Sequence, residues 1–298
     1  METAALAADA AWGARLQAGA AALGIPLDEA QVARLGRFLA LLVADAERSG
    51  LTSITDPDAA ARLHFLDSLA GLRSGAFSEG AAVADVGAGG GLPGIPLAIV
   101  RPDLRLTLIE SHHRRADFLR KAVADLGIAG AAVVTARAEA AGRDPALREQ
   151  FEVVASRAVA APAVALEYMA PMARVGGKVL AYWGPRVSLS PDPSPTSGEG
   201  RQSTDVDAVT PLPNGRGAGG EGEWGEGTTN LSSVAAELGL RLGRVDAFTL
   251  PGGDEQRALW IFEKIAPTPS RYPRREGIPA KRPLGGRPKR TAETTTEL

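Results

Sequence analysis

The sequence predicts an α/β fold: a doubly wound, seven-stranded, mostly parallel sheet with helices on both faces, preceded by a small helical segment. Three observations predict it. From Ala81 onward, short apolar runs alternate with stretches of helical periodicity, the pattern of a parallel sheet wrapped by helices. The first of those runs enters a glycine-rich turn, VADVGAGGGLPG at 83–94, which reads as a buried strand, a bare turn and a helix start. Upstream of all this lie two helical stretches, the second with one apolar face for packing on a larger body.

The helical preface comes first. Residues 12–24 and 28–48 are expected as helices, the second opening at Asp28 with Gln31 three residues on, a capping box. Leu35, Phe38, Leu39 and Leu42 recur at helical spacing and give that helix one apolar face. After LTSIT at 51–55, Asp56 can cap a third helix with Pro57 at its first position, running to about Leu72. On it His64, Asp67 and Ser68 share a face, where a surface hydrogen-bond cluster is expected ahead of direct substrate contact. Strands are expected at 82–86, 104–110, 131–135, 151–156 and 178–183, with helices at about 93–101, 113–126, 139–148 and 160–173. A helix at 231–238 precedes two late strands, about 241–249 and 256–265. Residues 186–230 break this plan: they are rich in Gly, Pro, Ser and Thr, lack apolar periodicity, and hold one large aromatic, Trp224. They are expected to be a disordered, low-complexity insertion.

The chain of 298 residues is long enough for one or two domains with an ample core. A net charge of −2 confines any nucleic-acid contact to a local patch. Cysteine is absent, which excludes disulfides, thiolate zinc sites and cysteine nucleophiles. The histidines, His64, His112 and His113, show no metal-ligand spacing, so no metal is expected. No stretch approaches the length of a membrane span and the N-terminus has no leader pattern; the expected compartment is the cytoplasm.

Two ligands compete for the glycine corner. Read from Gly89, GGGLPG satisfies the dinucleotide pattern GxGxxG, and Glu110 follows at the offset of a ribose-binding acid. Read from Asp85, the stretch is DxGxGxG through Gly87, Gly89 and Gly91, with Leu92 behind it, and resembles the first motif of S-adenosylmethionine-dependent methyltransferases. A carboxylate at the strand end repels a pyrophosphate but tolerates a sulfonium cation, which tilts the reading to the second. Glu110, ending the second strand, can accept both ribose hydroxyls of an adenosine in either case. Arg137, Ala138 and Glu139 follow the third strand, where a backbone amide and an acid lie beside the adenine. Arg157, after the fourth strand, points to the mouth of the pocket, and with Arg137 it is a candidate for positioning cofactor or RNA.

The set LTSIT, HFLDSL, DVGAGGGLPGIPLAIVRPD, LIES, FLR, ARAE, SRAVA and the late RYPRREGIPAKRPL resembles the ribosomal RNA small subunit methyltransferase G family, also called glucose-inhibited division protein B. The likeness spans about 28–185 and 231–284. It implies a methyltransferase-type sheet whose last strand pair forms a hairpin, S-adenosyl-L-methionine as cofactor, and methyl transfer to N7 of one guanine in 16S rRNA near the decoding centre. The partner implied is 16S rRNA, within the small ribosomal subunit or an assembly intermediate. Motif by motif, the resemblance implies that Gly87 and Leu92 touch the cofactor together with the glycines between them, Gly89 and Gly91; Ala138, Glu139 and Arg157 do so too, and Glu110 holds the ribose. Guanine N7 carries no proton, so the transfer needs no general base and no catalytic residue is expected. Gly50, where an asparagine is usual, Leu63, which parts Arg62 from His64, and the 186–230 insertion depart from the family pattern. Two other classes stay open: an NAD-dependent oxidoreductase, for which no hydride-transfer partner presents itself, and a catalytically silent RNA- or nucleoside-binding module, which cofactor turnover separates.

The end of the chain is basic. Arg271, Arg274, Arg275, Lys281, Arg282, Arg287, Lys289 and Arg290 stand against the single acid Glu276 over 271–290, and Tyr272 offers a stacking face for an unpaired base. This reads as an RNA anchor, while Pro273, Pro279 and Pro283 suggest a docked extended segment up to Leu284. The organisation expected is a helical segment at 1–80 packed on the core, a core at 81–185 and 231–266, the insertion at 186–230, and a basic RNA-binding tail at 267–298. Truncation after Ala266 is then expected to leave the cofactor site intact.

Overall fold

A short apolar run without alternation suits a strand covered on both faces, and Ala82–Val86 forms that strand, β1, inside a seven-stranded sheet. The computed structural model describes residues 10–184 and 231–285. The expectations for 186–230 with Trp224, and for Arg287, Lys289 and Arg290, lie outside the described residues. Along the chain follow β2 (Arg105–Glu110), β3 (Ala131–Thr135), β4 (Phe151–Arg157), β5 (Ala173–Trp183), β6 (Leu240–Thr249) and β7 (Gln256–Lys264), in the spatial order β3-β2-β1-β4-β5-β7-β6. Every neighbour pair is parallel except those of β7, which runs antiparallel to β5 and to β6. The chain builds outward from β1 to β3 on one side, then returns to place β4 on the other. That reversal opens a crevice beyond the carboxyl ends of β1 and β4, where sheets of this kind take ligands.

The preface holds two long helices, α1 (Ala10–Ala22) and α2 (Glu29–Ser49). The capping box at Asp28 and Gln31 is present, and Gly50 ends α2 in the left-handed conformation that glycine adopts freely. The third helical stretch is not the uniform helix expected to Leu72. It runs as α3 (Pro57–Ala60), a π-helical turn at Ala61–Leu66, α4 (Asp67–Leu69) and a 3-10 turn at Ala70–Ser74. Side chains draw two carbonyls out of the regular ladder there: the Ser68 hydroxyl donates to His64 O, and Arg157 Nη1 donates to Leu63 O at 2.9 Å. His64, Asp67 and Ser68 do share a face, but it is buried rather than a surface cluster, because it packs between β4 and the hairpin.

The remaining helices are α5 (Gly94–Val100), α6 (His113–Asp125), α7 (Ala138–Ala141), α8 (Pro162–Met169), α9 (Leu231–Glu237) and α10 (Ile278–Lys281). The helix expected at 139–148 is only α7, since Asp144 turns the chain by accepting from Ala146 N at 2.9 Å and Pro145 lacks an amide hydrogen. Side-chain alternation along the strands divides the core into two layers. Val83, Val153, Ala155 and Leu180 face the preface, where Trp12, Leu35, Phe38, Leu39, Leu42 and Phe65 are buried. Ala84, Val154, Val179 and Ala181 face Leu166, Met169, Trp260, Phe262 and Tyr272. Burying each large side chain fully contributes about 1.5–3 kcal/mol, so the preface is as much part of the core as the sheet is.

Residues 267–285 do not form a separate tail. The ring of Tyr272 is 4% exposed within the second layer and its hydroxyl donates to Glu237 Oε1, so it presents no face to an unpaired base. Arg274 forks onto Glu167, a fully buried carboxylate of α8, with its own amide donating to Glu167 Oε1 at 2.8 Å. Arg271 pairs with Glu237 at 3.3 Å. Arg148 donates to the carbonyls of Tyr272 and Thr268, Arg143 to that of Pro273, and the buried Lys264 ammonium to Ala170 O and Thr268 Oγ1. The boundary expected at 266 therefore cuts through one packed unit. Arg275, Lys281 and Arg282 are exposed and make no ion pair among the described residues. Among those residues no helix is long and apolar enough to cross a membrane, and no group of three or more acids and histidines could hold a metal.

Candidate active site

The glycine corner is held by its own backbone and by two acids. Gly87 N and Ala88 N both donate to Ile109 O, at 2.9 and 3.0 Å, which lays the loop against the end of β2. Gly87, Gly89 and Gly91 have φ of 74°, 52° and 89°, a region that side-chain-bearing residues rarely adopt. A Cβ on Gly87 would fall 2.4 Å from Val159, whereas one on Gly89 would meet nothing closer than Gly87 O at 3.8 Å. The loop is thus packed behind Gly87 and open above Gly89.

Asp85 and Glu110 are the two acids. Glu110 is 4% exposed and accepts from Gly89 N at 2.9 Å through Oε2 and from His112 N at 2.8 Å through Oε1. Oε2 keeps a lone pair beyond the bond it makes, while Oε1 takes a second, longer contact from the Ser111 hydroxyl at 3.5 Å. Asp85 is wholly buried in β1, and its Oδ2 accepts from Gly94 N, the first residue of α5, at 2.8 Å. Its Oδ1 is buried without a partner. Burial pushes the Asp85 carboxyl up to about 7, against the pull of the Gly94 amide and the Arg157 charge.

Arg157 ends β4 and reaches across to the preface rather than into open solvent. Its Nη1 donates to Leu63 O and pairs with Asp67 Oδ2 at 3.1 Å, and Asp67 Oδ1 lies 3.3 Å from Arg257 Nε on β7. His64 stands one turn earlier, with Nε2 2.8 Å from Thr52 Oγ1 and Nδ1 buried without a partner. Burial, and then the Arg157 charge, lower its pKa to about 4, so it is neutral at pH 7. Ser156 fixes the neighbouring strand ends, donating to Val86 O at 2.8 Å.

The structure brings Gly87, Gly89, Gly91, Leu92 and Glu110 together at one corner, with Arg157 within electrostatic reach of Asp85. Ala138 opens α7 after β3, and Arg137, its N-cap residue, is exposed. Glu139 departs from the expectation of an acid beside a ligand. It is 3% exposed and accepts from Gly277 N at 2.9 Å and from the Tyr168 hydroxyl at 3.4 Å, so its carboxylate anchors the C-terminal segment. Reading the sequence missed Arg257 and the Thr52–His64 contact as parts of the site. Arg257 lies 190 residues from Asp67 along the chain, and no local spacing signals that meeting.

Similarity to known proteins bears on what this corner belongs to. The family model described as GidB, rRNA small subunit methyltransferase G, matches residues 31–189. Over 269 residues the chain is 36% identical to the ribosomal RNA small subunit methyltransferase G of Pelotomaculum thermopropionicum, covering 90% of this chain and 97% of that protein. The chain belongs to the rRNA small subunit methyltransferase G family. Its relatives of that name include those of Roseiflexus castenholzii, 38% identical over 88% of this chain and 95% of theirs, and of Deinococcus radiodurans, 38% identical over 90% and 91%. Membership of a methyltransferase G family replaces the dinucleotide reading of the glycine corner, and with it the oxidoreductase. It also accounts for Asp85, an acid that a pyrophosphate would oppose.

Proposed function

We propose that the chain transfers a methyl group from S-adenosyl-L-methionine to N7 of a guanine in 16S rRNA, acting on the small subunit or an assembly intermediate in the cytoplasm. The observation that carries this reading is the corner itself: an open glycine loop interlocked with two buried acids, in a chain of this family. The residues present fit the cofactor. The space above Gly89 admits a ligand, and the unpartnered Asp85 Oδ1 is a buried acceptor suited to a cationic group. The Glu110 carboxylate can take ribose hydroxyls.

In this reading Gly87, Gly89, Gly91 and Leu92 shape the cradle, Glu110 holds the ribose, and the backbone at Ala138 and Glu139 borders the adenine. The cofactor supplies an electrophilic methyl on sulfur. The chain's residues orient the two reactants in line and keep water out, which is where most of the acceleration for such a transfer resides. N7 is a lone pair without a proton, so no residue is needed as a base. Arg157, fixed by Asp67, is suited to positioning cofactor or RNA at the end of β4. Arg137, Arg271, Arg275, Lys281 and Arg282 are exposed and suited to phosphate contact, Arg271 beside its partner Glu237; Tyr272 and Arg274 brace the fold instead.

The test is incubation with labelled S-adenosyl-L-methionine and unmethylated small subunits or their rRNA, followed by nucleoside analysis. Labelled 7-methylguanosine is expected. Cofactor binding without any turnover would identify a silent binding module, and label on another atom would overturn the N7 assignment.

A further inference from the structure

We propose that a cavity beside Asp67 receives the target base, with Asp67 and Arg257 reading the edge of guanine; this deepens the methyl-transfer reading and rests on it. The cavity holds about 120 Å³ and is lined by Asp67, Tyr182, Trp183, Gly184, Phe248 and Arg257 among others. That is the volume of about four waters, room for a flat ring system but not for a sugar and phosphate with it. It lies at the carboxyl end of β5, where Tyr182 pairs with Arg157 of β4 and Trp183 with Ala258 of β7. The cavity therefore opens on the same edge of the sheet as the glycine corner, one strand beyond β4.

Chemistry on a base within RNA requires the base to leave its stack, to lie among aromatic or apolar walls, and to be read along its Watson–Crick edge. Tyr182 and Phe248 supply the walls, while the Trp183 ring lies on the other face of the sheet against Trp260 and Phe262. The Asp67 side chain is nine-tenths buried and held between Arg157 and Arg257, at 3.1 and 3.3 Å. An ionised carboxylate accepts at about four lone-pair positions, and the two arginines occupy one on each oxygen. The other two match the N1–H and N2–H donors of guanine. Adenine places an acceptor at N1 and is turned away by the same carboxylate. Arg257 donates to Gln256 O at 3.0 Å through Nη1, which leaves donors of its fork for O6. Read from that side, the base keeps N7 on its opposite edge, free to face the methyl donor.

Two measurements test this. Binding of guanosine monophosphate and adenosine monophosphate to the full chain, with the glycine corner saturated by S-adenosyl-L-methionine, is followed by NMR, independently of any transfer. Guanosine monophosphate is expected to bind about tenfold more tightly, and Asp67→Asn to abolish the preference; equal binding to the wild type overturns the proposal. Methyl transfer is then compared on rRNA carrying guanosine or inosine at the target, because inosine keeps N7 but lacks the 2-amino group. The wild type is expected to lose about tenfold in kcat/KM on inosine and Asp67→Asn less than twofold between the two RNAs. Equal factors in both enzymes would mean that Asp67 only braces its arginines. If Asp67→Asn does not fold, Arg257→Gln decides: a tenfold fall in kcat/KM with unchanged cofactor Kd and Tm supports the assignment, and an unchanged kcat/KM overturns it. A wild type that methylates no RNA refutes the methyl-transfer reading, while the nucleotide preference still judges the cavity.

Discussion

Glu110 braces the glycine loop and, in the proposed reading, holds the cofactor ribose as well. Its carboxylate already accepts from Gly89 N and His112 N, so the acid is oriented before anything binds. Glu110→Ala is expected to weaken S-adenosyl-L-methionine binding by about 2 kcal/mol, the loss of a charged acceptor from two hydroxyls in a partly dry pocket. Calorimetry on the folded variant checks this, and undiminished affinity would reduce Glu110 to a loop brace. Gly89→Val should be harsher, because the branched side chain fills the open cradle and strains a backbone with φ of 52°. Asp85 adds a pH dependence. Its carboxyl is raised from 3.8 to about 7 in the folded chain, so between those values the native state binds more protons than the unfolded one. Its contribution to stability is fully present below the lower value and is lost as pH rises through about 7. Asp85→Asn is expected to flatten that part of the curve in urea titrations from pH 4 to 8; an unaltered slope would place the proton on another group.

At the scale of elements, the C-terminal segment carries two kinds of cation. Arg274 neutralises Glu167, a carboxylate with no exposure, and removing it leaves an unpaired buried charge. Arg274→Ala is expected to cost about 3–5 kcal/mol and to lower Tm by several degrees. Arg275, Lys281 and Arg282 face solvent, and replacing all three by Ala should leave Tm unchanged while weakening rRNA binding. Each phosphate that the variant no longer neutralises lowers the logarithmic salt slope by about 0.7–0.9, so a slope unchanged across several salt concentrations would remove this segment from the RNA interface. Truncation after Ala266, harmless on a reading of the segment as a tail, is expected to destabilise the fold through Thr268, Tyr272 and Arg274.

Over the whole molecule, what was legible from the sequence was what local spacing encodes. The strand at 82–86, the capping box at Asp28 and the apolar face of Leu35, Phe38, Leu39 and Leu42 all follow from neighbours within two turns. The cradle glycines and Glu110 were legible for the same reason, since the corner of a doubly wound sheet is written in one continuous stretch. Contacts between distant segments were not. Arg62 with Glu255, Arg73 with Asp246 and Asp67 with Arg257 stitch the preface to the hairpin across separations of 170 residues or more. Burial of His64 and Asp67 depends on those stitches, so a face that periodicity alone assigns to the surface lies inside.

The clasp between Glu167 and Arg274 also sets an order in time. The acid precedes its arginine by 107 residues, and at about 5–20 residues per second of synthesis it waits about 5–20 s for its partner. During that interval a charged side chain destined for the interior has nothing to neutralise it, and the second layer of the core cannot close. A growing chain stalled short of Arg274 should therefore be cut by protease where the released chain resists. The segment around Arg274 completes the interior, so the second layer closes only once that segment has been made.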